Sequence, residues 1–396
     1  MIFLFIALAI IIAVFCYFFF VRICKTAGLA QKYKIVVRVV VAVCAIGVAV
    51  LSVFFLTVAL FIVHVMVFAL IVLLVDLIVK AAGKQRYKDG FKPWKIIYGS
   101  GIIPVVFAAA VIIGGYVNMN TVVCTEYSVY TQKGIRVDGY KIALIADVHY
   151  GISVDGAELA RICSEISAKN ADVVVLCGDI VDESTSDAGM REVFSLLGGI
   201  DSTYGVYYVY GNHDRQLYAN SPAFDEAELQ SVVEECGIKV LRDAAVDLGE
   251  LVLVGREDMS YKGESGRTPV AELLTDVDAS KYTVVLDHQP RQYKENGEAG
   301  VDLLLSGHTH NGQIFPMNFI FDWTGVNDLM YGITDIGENG RAIVTSGVAG
   351  WGFNVKTAGK AEYAIVNVLP EKSEKILFER PQNRLTKKAE RAYNSL

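Results

Sequence analysis

Three long apolar runs precede a change of rhythm along the chain. Ile2 to Val21 carries no charge and is long enough to cross a bilayer core as one helix. Val39 to Val75 is an uncharged run of 37 residues interrupted only by His64. As one helix it would be about 56 Å long, nearly twice a ~30 Å hydrocarbon core, so it predicts two spans with a tight turn near Leu56–Ala59. A last run from Ile96 to Tyr116 contains Pro104 and glycines that membrane helices tolerate. The expected spans are 2–21, 39–57, 59–79 and 96–117, in a membrane region over 1–120. From 121 to 370, short β-type runs alternate with helix-like stretches, which predicts one α/β domain. Residues 371–396 are charged and mixed, and read as a last strand and a tail.

Charge separates the same two regions. Residues 1–120 hold 11 Lys and Arg against Asp76 and Asp89, a net of +9, while 121–396 hold 25 basic and 41 acidic residues, a net of −16. So acidic a domain argues against nucleic acid as a partner. The first charges, Arg22 and Lys25, follow the first apolar run rather than precede it, so a retained helix is expected and not a cleaved signal. The basic residues gather in 22–38 and 80–95, and the turn between the second and third spans has none. With four spans, the positive-inside rule puts both basic loops in the cytoplasm and the acidic domain outside the cell membrane. His64 and Asp76 lie inside apolar runs, where ionisable residues can be functional; a His packed between helices and an Asp near a helix end are the plainer readings. Seven scattered cysteines without CxxC spacing indicate neither a zinc ribbon nor a disulfide framework.

Five β-type runs of the second region end alike. Lys141–Ala146 leads into Asp147 and His149, and Ala171–Cys177 into Gly178, Asp179 and Asp182. Val206–Tyr210 leads into Gly211, Asn212, His213 and Asp214, Tyr282–Asp287 into His288, and Val301–Ser306 into Gly307, His308 and His310. Near-continuous apolar runs are what strands buried on both faces look like, and open α/β sheets gather their sites beyond the carboxyl ends of strands. The chain has six histidines, and five of them stand at these ends. Carboxylate, amide and imidazole donors together suit manganese, iron or zinc better than calcium.

The ordered series DxH, GDxxD, GNH, H and GHTH resembles the calcineurin-like metallophosphoesterase superfamily over roughly residues 140–350. The stretch from Leu286-Asp-His-Gln-Pro to Gly307-His-Thr-His-Asn-Gly-Gln resembles its membrane-associated bacterial branch and the related transmembrane metallophosphoesterase-domain proteins. The resemblance implies a four-layer αββα sandwich of two mixed sheets and two divalent metal ions, manganese first. It implies that Asp147, His149, Asp179 and His310 bind one metal and that Asp179, Asn212, His288 and His308 bind the other. It also makes His213 the acid that protonates the leaving alkoxide, with Asp182 orienting it; Asp182 otherwise reads as a helix-start carboxylate, and Asp214 is a weaker catalytic candidate.

Two departures bear on substrate. Relatives acting on phosphoproteins follow GDxxD with Arg-Gly, whereas here Glu183 and Ser184 follow Asp182. Losing a phosphate-gripping cation and gaining an acid favours a phosphodiester or pyrophosphate over a monoester dianion. Asn311 stands where the branch has glycine. Arg215, Arg256, Arg267 and Arg291 could hold phosphate, although each reads alone as an ordinary surface residue. Trp351 and Phe353 could meet an acyl chain, although core packing is the plainer use. The expected protein is therefore a membrane-anchored dimetal phosphodiesterase acting on a lipid or envelope component. The alternatives are a cytoplasmic-face lipid pyrophosphatase similar to the UDP-2,3-diacylglucosamine hydrolases and a non-catalytic metal-stabilised binding module.

Overall fold

The structure, a computed structural model, describes residues 2–29, 33–82, 92–263 and 266–371. The expected strand and tail over 371–396 fall, apart from Glu371, outside the described residues, as does most of the basic loop 80–95.

The apolar runs form helices α1 (Ile2–Thr26), α2 (Lys34–Phe54), α3 (Leu56–Ala82), α4 (Lys92–Ser100) and α5 (Ile102–Met119). Four of them, all but α4, are long and apolar enough to cross a membrane. The turn between α2 and α3 is tighter than the sequence suggests: Phe55 alone is extended, at φ −124° and ψ 98°. The last run is broken rather than continuous. Gly101 has φ 69°, and the Phe19 ring lies 2.5 Å from where its Cβ would be, so only glycine fits the break between α4 and α5.

α5 leads directly into the globular region, whose strands are β1 (Val123–Thr131), β2 (Tyr140–Ile145), β3 (Val173–Cys177), β4 (Val206–Val209), β5 (Lys239–Val240) and β6 (Ala244–Asp247). They continue as β7 (Leu251–Gly255), β8 (Tyr282–Leu286), β9 (Leu303–Ser306), β10 (Gly332–Ile336), β11 (Gly340–Val344) and β12 (Glu362–Pro370). Two six-stranded mixed sheets result, ordered β1-β12-β2-β3-β4-β5 and β10-β11-β9-β8-β7-β6. β2, β3 and β4 are mutually parallel, as are β7, β8, β9 and β11, so the motif-bearing ends of each sheet point the same way. The antiparallel pairs are β12 with β2, β10 with β11 and β6 with β7.

One apolar cluster lies between the sheets, with Ile142, Leu144, Val175 and Val209 from one facing Leu253, Val284, Leu286 and Leu305 from the other. The outer face of the first sheet is covered by α6 (Gly156–Ala168), α7 (Asp187–Gly198) and α8 (Glu226–Glu235). Asp155, Ser186 and Asp225 cap them by accepting backbone N–H groups three residues on. The outer face of the second sheet has a thinner cover, including the single-turn helix Val270–Leu273 and the short helix Tyr293–Glu298. These are the four layers the motif series implies.

Candidate metal centre

Each motif residue sits just past a strand, where the chain must turn at once. Asp147, His149, Asp179, His308 and His310 all adopt positive φ, between 39° and 73°. Left-handed backbone costs a non-glycine residue about 1–3 kcal/mol, so the surroundings must hold it. The clamps are carboxylates. Asp214 accepts the backbone N–H of Asp179, Ile180, Val181 and Gly211 at 2.6–3.1 Å, tying the β3 and β4 loops together. Asp147 accepts the His308 N–H, and Asp179 Oδ1 accepts the His213 N–H at 2.8 Å. Asp214 is thus a loop clamp. Close approach also requires glycine at 211 and 307, where a Cβ would lie 2.2 Å from Asp179 Oδ1 and 2.4 Å from Asp147 Oδ2.

Among the described residues two groups of potential metal donors result, Asp147, His149 and His310, and Asp179, His288 and His308, each with ligand atoms within 4.8 Å of one another. Asp179 Oδ2 lies 3.1 Å from His288 Nε2 in its own group and 3.7 Å from His149 Nε2 in the other. Asn212 stands between two residues that both touch Asp179, and its Oδ1 is buried without a hydrogen-bond partner. The donor set fits divalent cations on one further point. His288 donates from Nδ1 to the Cys177 carbonyl at 2.8 Å, which leaves Nε2 buried, unpartnered by any donor and aimed at a carboxylate. A lone pair facing an anion is repulsive unless a cation or a proton lies between them.

The charges are strongly coupled. Burial pushes Asp147 up to about 6 against the pull of His288 and His149. Burial also opposes ionisation of Asp179, but His288, His149 and His213 outweigh it and hold that carboxyl well below its ordinary range. Burial, with His149 and Lys356 adding to it, holds His310 well below the usual imidazole value, in the neutral form that ligates metals.

His213 sits at the rim, its ring 5.4 Å from that of His149. Its partner is not the expected one. His213 Nδ1 meets Glu183 Oε2 at 2.7 Å, whereas Asp182 Oδ2 lies 3.5 Å from His149 Nδ1. Adjacent residues of a tight turn point in different directions: Asp182 Oδ1 accepts the Ser184 N–H and closes the turn inward, so Glu183 is the one that reaches the rim. Asp182 therefore backs a candidate ligand, and the acid in place of the relatives' arginine backs the candidate proton donor. Burial pushes the His213 imidazole down, but Glu183 and Asp179 outweigh it and raise it above its ordinary value.

Other expectations shift too. Arg215, Arg256 and Arg267 are not surface residues; they are buried and paired, Arg215 with Glu257 and both others with Asp287. Arg291 is half-buried with no ion pair among the described residues. Trp351 is not core: it is 49% exposed, with its ring 5.5 Å from His213, and Tyr218 meets the same imidazole at 5.4 Å. Phe353 packs against Leu60, Ile314 and Val355. Asn311 tolerates its left-handed φ of 52°, as Asn does, and donates to the Ala358 carbonyl. All seven cysteines are free.

Sequence reading missed Glu183 as a partner and also missed Lys356. That lysine is wholly buried and donates to the carbonyls of Ser346, Gly347 and Ala349. Burial pushes its pKa down to about 8, against Asp147 and Glu362. Nothing around a lone Lys in Asn354-Val-Lys356 signals this, because the carbonyls it collects belong to a loop that only the fold closes.

The globular region ends against the helices. His64 of α3 bonds the Leu60 carbonyl through Nδ1 and Thr357 Oγ1 through Nε2, at 2.8 and 3.1 Å. Lys356 N–H donates to Gly115 of α5. Asp76, also buried, takes the Trp94 indole and the Lys80 ammonium.

Residues 140–312 match the family of calcineurin-like phosphoesterases. An uncharacterized metallophosphoesterase of Campylobacter jejuni is 29% identical over 233 residues, covering 59% of this chain and 60% of that one. One from Helicobacter pylori is 30% identical over 233 residues, covering 58% and 60%. A transmembrane protein with metallophosphoesterase domain from Danio rerio is 28% identical over 247 residues, covering 59% and 53%. The chain thus spans about 60% or less of the length of these relatives. The motif residues, the two donor groups and the family match agree: the chain carries a calcineurin-like metallophosphoesterase domain, and transmembrane metallophosphoesterase-domain proteins are among its homologues.

Proposed function

We propose that this metallophosphoesterase is a membrane-anchored hydrolase of a phosphodiester in a lipid or envelope component, with its catalytic domain outside the cytoplasm. Asp147, His149, Asp179 and His310 would hold one divalent cation and Asp179, Asn212, His288 and His308 the other, with manganese as the first candidate. When bound, such a pair supplies an acidified water as nucleophile and positive charge for the phosphoryl oxygens. Asp179 serves both because its Oδ2 faces an imidazole of each group. His213 holds the proton that the leaving alkoxide needs, and Glu183 keeps that imidazole protonated and oriented through Nδ1. Asp182 fixes His149 from behind.

The observation that carries the diester reading is Glu183 against His213. An anionic carboxylate at the rim, where phosphomonoester relatives hold a cation, disfavours a dianionic monoester. The test is hydrolysis of bis-p-nitrophenyl phosphate against p-nitrophenyl phosphate by the detergent-solubilised full chain with added manganese, with Asp179→Asn as control. Preference for the diester is expected; dominance of the monoester overturns the reading. A lipid pyrophosphate substrate at the cytoplasmic face is the second reading; the contact of the site's loops with the helices suits a lipid substrate on either face. A reporter fused at the C-terminus separates the two: an external signal supports the first, a cytoplasmic one the second.

A further inference from the structure

The segment after the His308–His310 loop does not return to the sandwich. Ile314 is buried against Leu60 of α3 and Val355, and Phe315 stacks on Phe68 of α3 with ring centroids 6.5 Å apart. Phe68 in turn meets Phe107 of α5 at 5.7 Å. α3 begins at Leu56 and α5 ends at Met119 on the side of the globular domain, so each phenylalanine lies twelve residues down its helix. At 1.5 Å per residue that is a depth of about 18 Å.

The length of the helices turns this depth into a position. α3 has 27 residues and is therefore about 40 Å long, roughly 10 Å more than a ~30 Å hydrocarbon core. Even if all of that excess projects toward the domain, Phe68 lies about 8 Å inside the hydrocarbon boundary, and Phe315 stacks on it from the domain side, its N–H held by Thr357 beside His64. From there the chain forms the helix Met317–Thr324, none of whose residues is buried. Phe319 is 62% exposed, Ile320 42% and Trp323 88%. Their spacing of one and four residues puts them on one helix face. Asp322 is the one charge between Ile314 and Thr324. Aromatic side chains so exposed are costly in water and favourable at the level of lipid headgroups, where Trp is enriched.

We propose that Met317–Thr324 is a membrane-inserted helix whose Phe319, Ile320 and Trp323 face lies in the domain-side leaflet. The occupant of this face is lipid, because Phe319 meets Phe315 at 6.1 Å and Phe315 in turn stacks on Phe68, which lies below the boundary on α3. The loop bearing His308 and His310 is then held at headgroup depth, and the substrate is a phosphoester carried on a lipid headgroup. This inference rests on the reading of the four apolar helices as spans and deepens the substrate class proposed above.

The test uses the full chain in liposomes of phosphatidylethanolamine and phosphatidylglycerol, with and without the same lipids brominated high on the acyl chains. Tryptophan fluorescence is read for the unaltered protein and for Trp323→Phe. The expected result is that brominated lipid quenches a component that Trp323→Phe removes, while aqueous iodide does not reach that component. Iodide quenching of Trp323 without quenching by brominated lipid overturns the inference. Flotation and carbonate extraction of the same samples read the spans independently. A chain that resists carbonate while Trp323 stays in water leaves the spans standing and ends the inference; a chain that carbonate releases ends both. A second measurement concerns substrate. Phe319→Ser with Trp323→Ser should raise KM for a headgroup-labelled phospholipid in vesicles about tenfold or more and leave bis-p-nitrophenyl phosphate turnover unchanged. Equal losses on both substrates would count against it.

Discussion

Two buried histidines, one in each half of the molecule, show how differently the halves use polarity. His64 lies among apolar helices with both ring nitrogens partnered, one to its own helix and one to Thr357. His288 lies at the end of β8 with Nδ1 partnered and Nε2 left without a donor before Asp179. The first is a finished interaction that fastens the globular domain to the helices. The second is an unfinished one, and Asn212 Oδ1 is unfinished too. Burial alone therefore does not distinguish connector from site; the direction and satisfaction of the buried atoms do. The apolar side chains make the same contrast. Phe18, Ile35 and Phe54 are 66%, 78% and 75% exposed on helices whose expected solvent is hydrocarbon, whereas β3, β4, β8 and β9 bury every residue.

The contrast breaks first at Asp179. Asp179→Asn should abolish turnover and empty both donor groups, as read by bound-metal analysis of the folded protein; retained metal with near-native activity would remove the shared-ligand reading. His213→Ala should cost ~10²–10⁴-fold on substrates with poor leaving groups and leave metal content intact. Loss of metal in step with activity would make it a ligand instead. Asp182→Asn should lower metal affinity about 10- to 100-fold by loosening His149, a readout that the expected pairing with His213 would not produce.

Smaller effects follow from Glu183 and His64. The acid form of His213 is the active one, and Glu183 holds its pKa above the ordinary value after burial has pushed it down. Activity should therefore persist to higher pH than an ordinary imidazole allows and fall as that proton is lost. Glu183→Gln should move this alkaline limb to lower pH, and an unmoved limb would detach Glu183 from the proton donor. His64→Ala should remove one of the two partners of Thr357 Oγ1, leaving it the Phe315 N–H, and cost about 0.5–1.5 kcal/mol in thermal unfolding in detergent, with little change in turnover on a soluble diester. A large loss of turnover would show that His64 belongs with His288 rather than opposite it.

Much was legible in the chain because the signals are local. Uncharged runs determine helices that could span a membrane, and their number follows from length divided by bilayer thickness. Apolar strands ending in Asp, Asn and His determine that donors collect at strand ends, since parallel strands in one sheet end on one side. The two mixed sheets and the membership of Asp147, His149, His310, Asp179, His288 and His308 in two compact groups agree with that pattern.

What only the tertiary structure decided is which neighbour each polar atom meets. Asp182 and Glu183 are adjacent in sequence, yet a turn closed by Ser184 sends one to His149 and the other to His213. Arg256 and Arg267 look like surface cations until both are buried on Asp287, and Lys356 until a loop wraps three carbonyls around it. Trp351 looks like core until it stands exposed beside the candidate acid. The physical reason is the same in each case. Hydropathy periodicity reports whether a backbone segment prefers water, and it is written residue by residue in the chain. A hydrogen bond or ion pair depends on distances and angles between atoms far apart in sequence, and those exist only once the sheets have packed and the domain has settled against its helices.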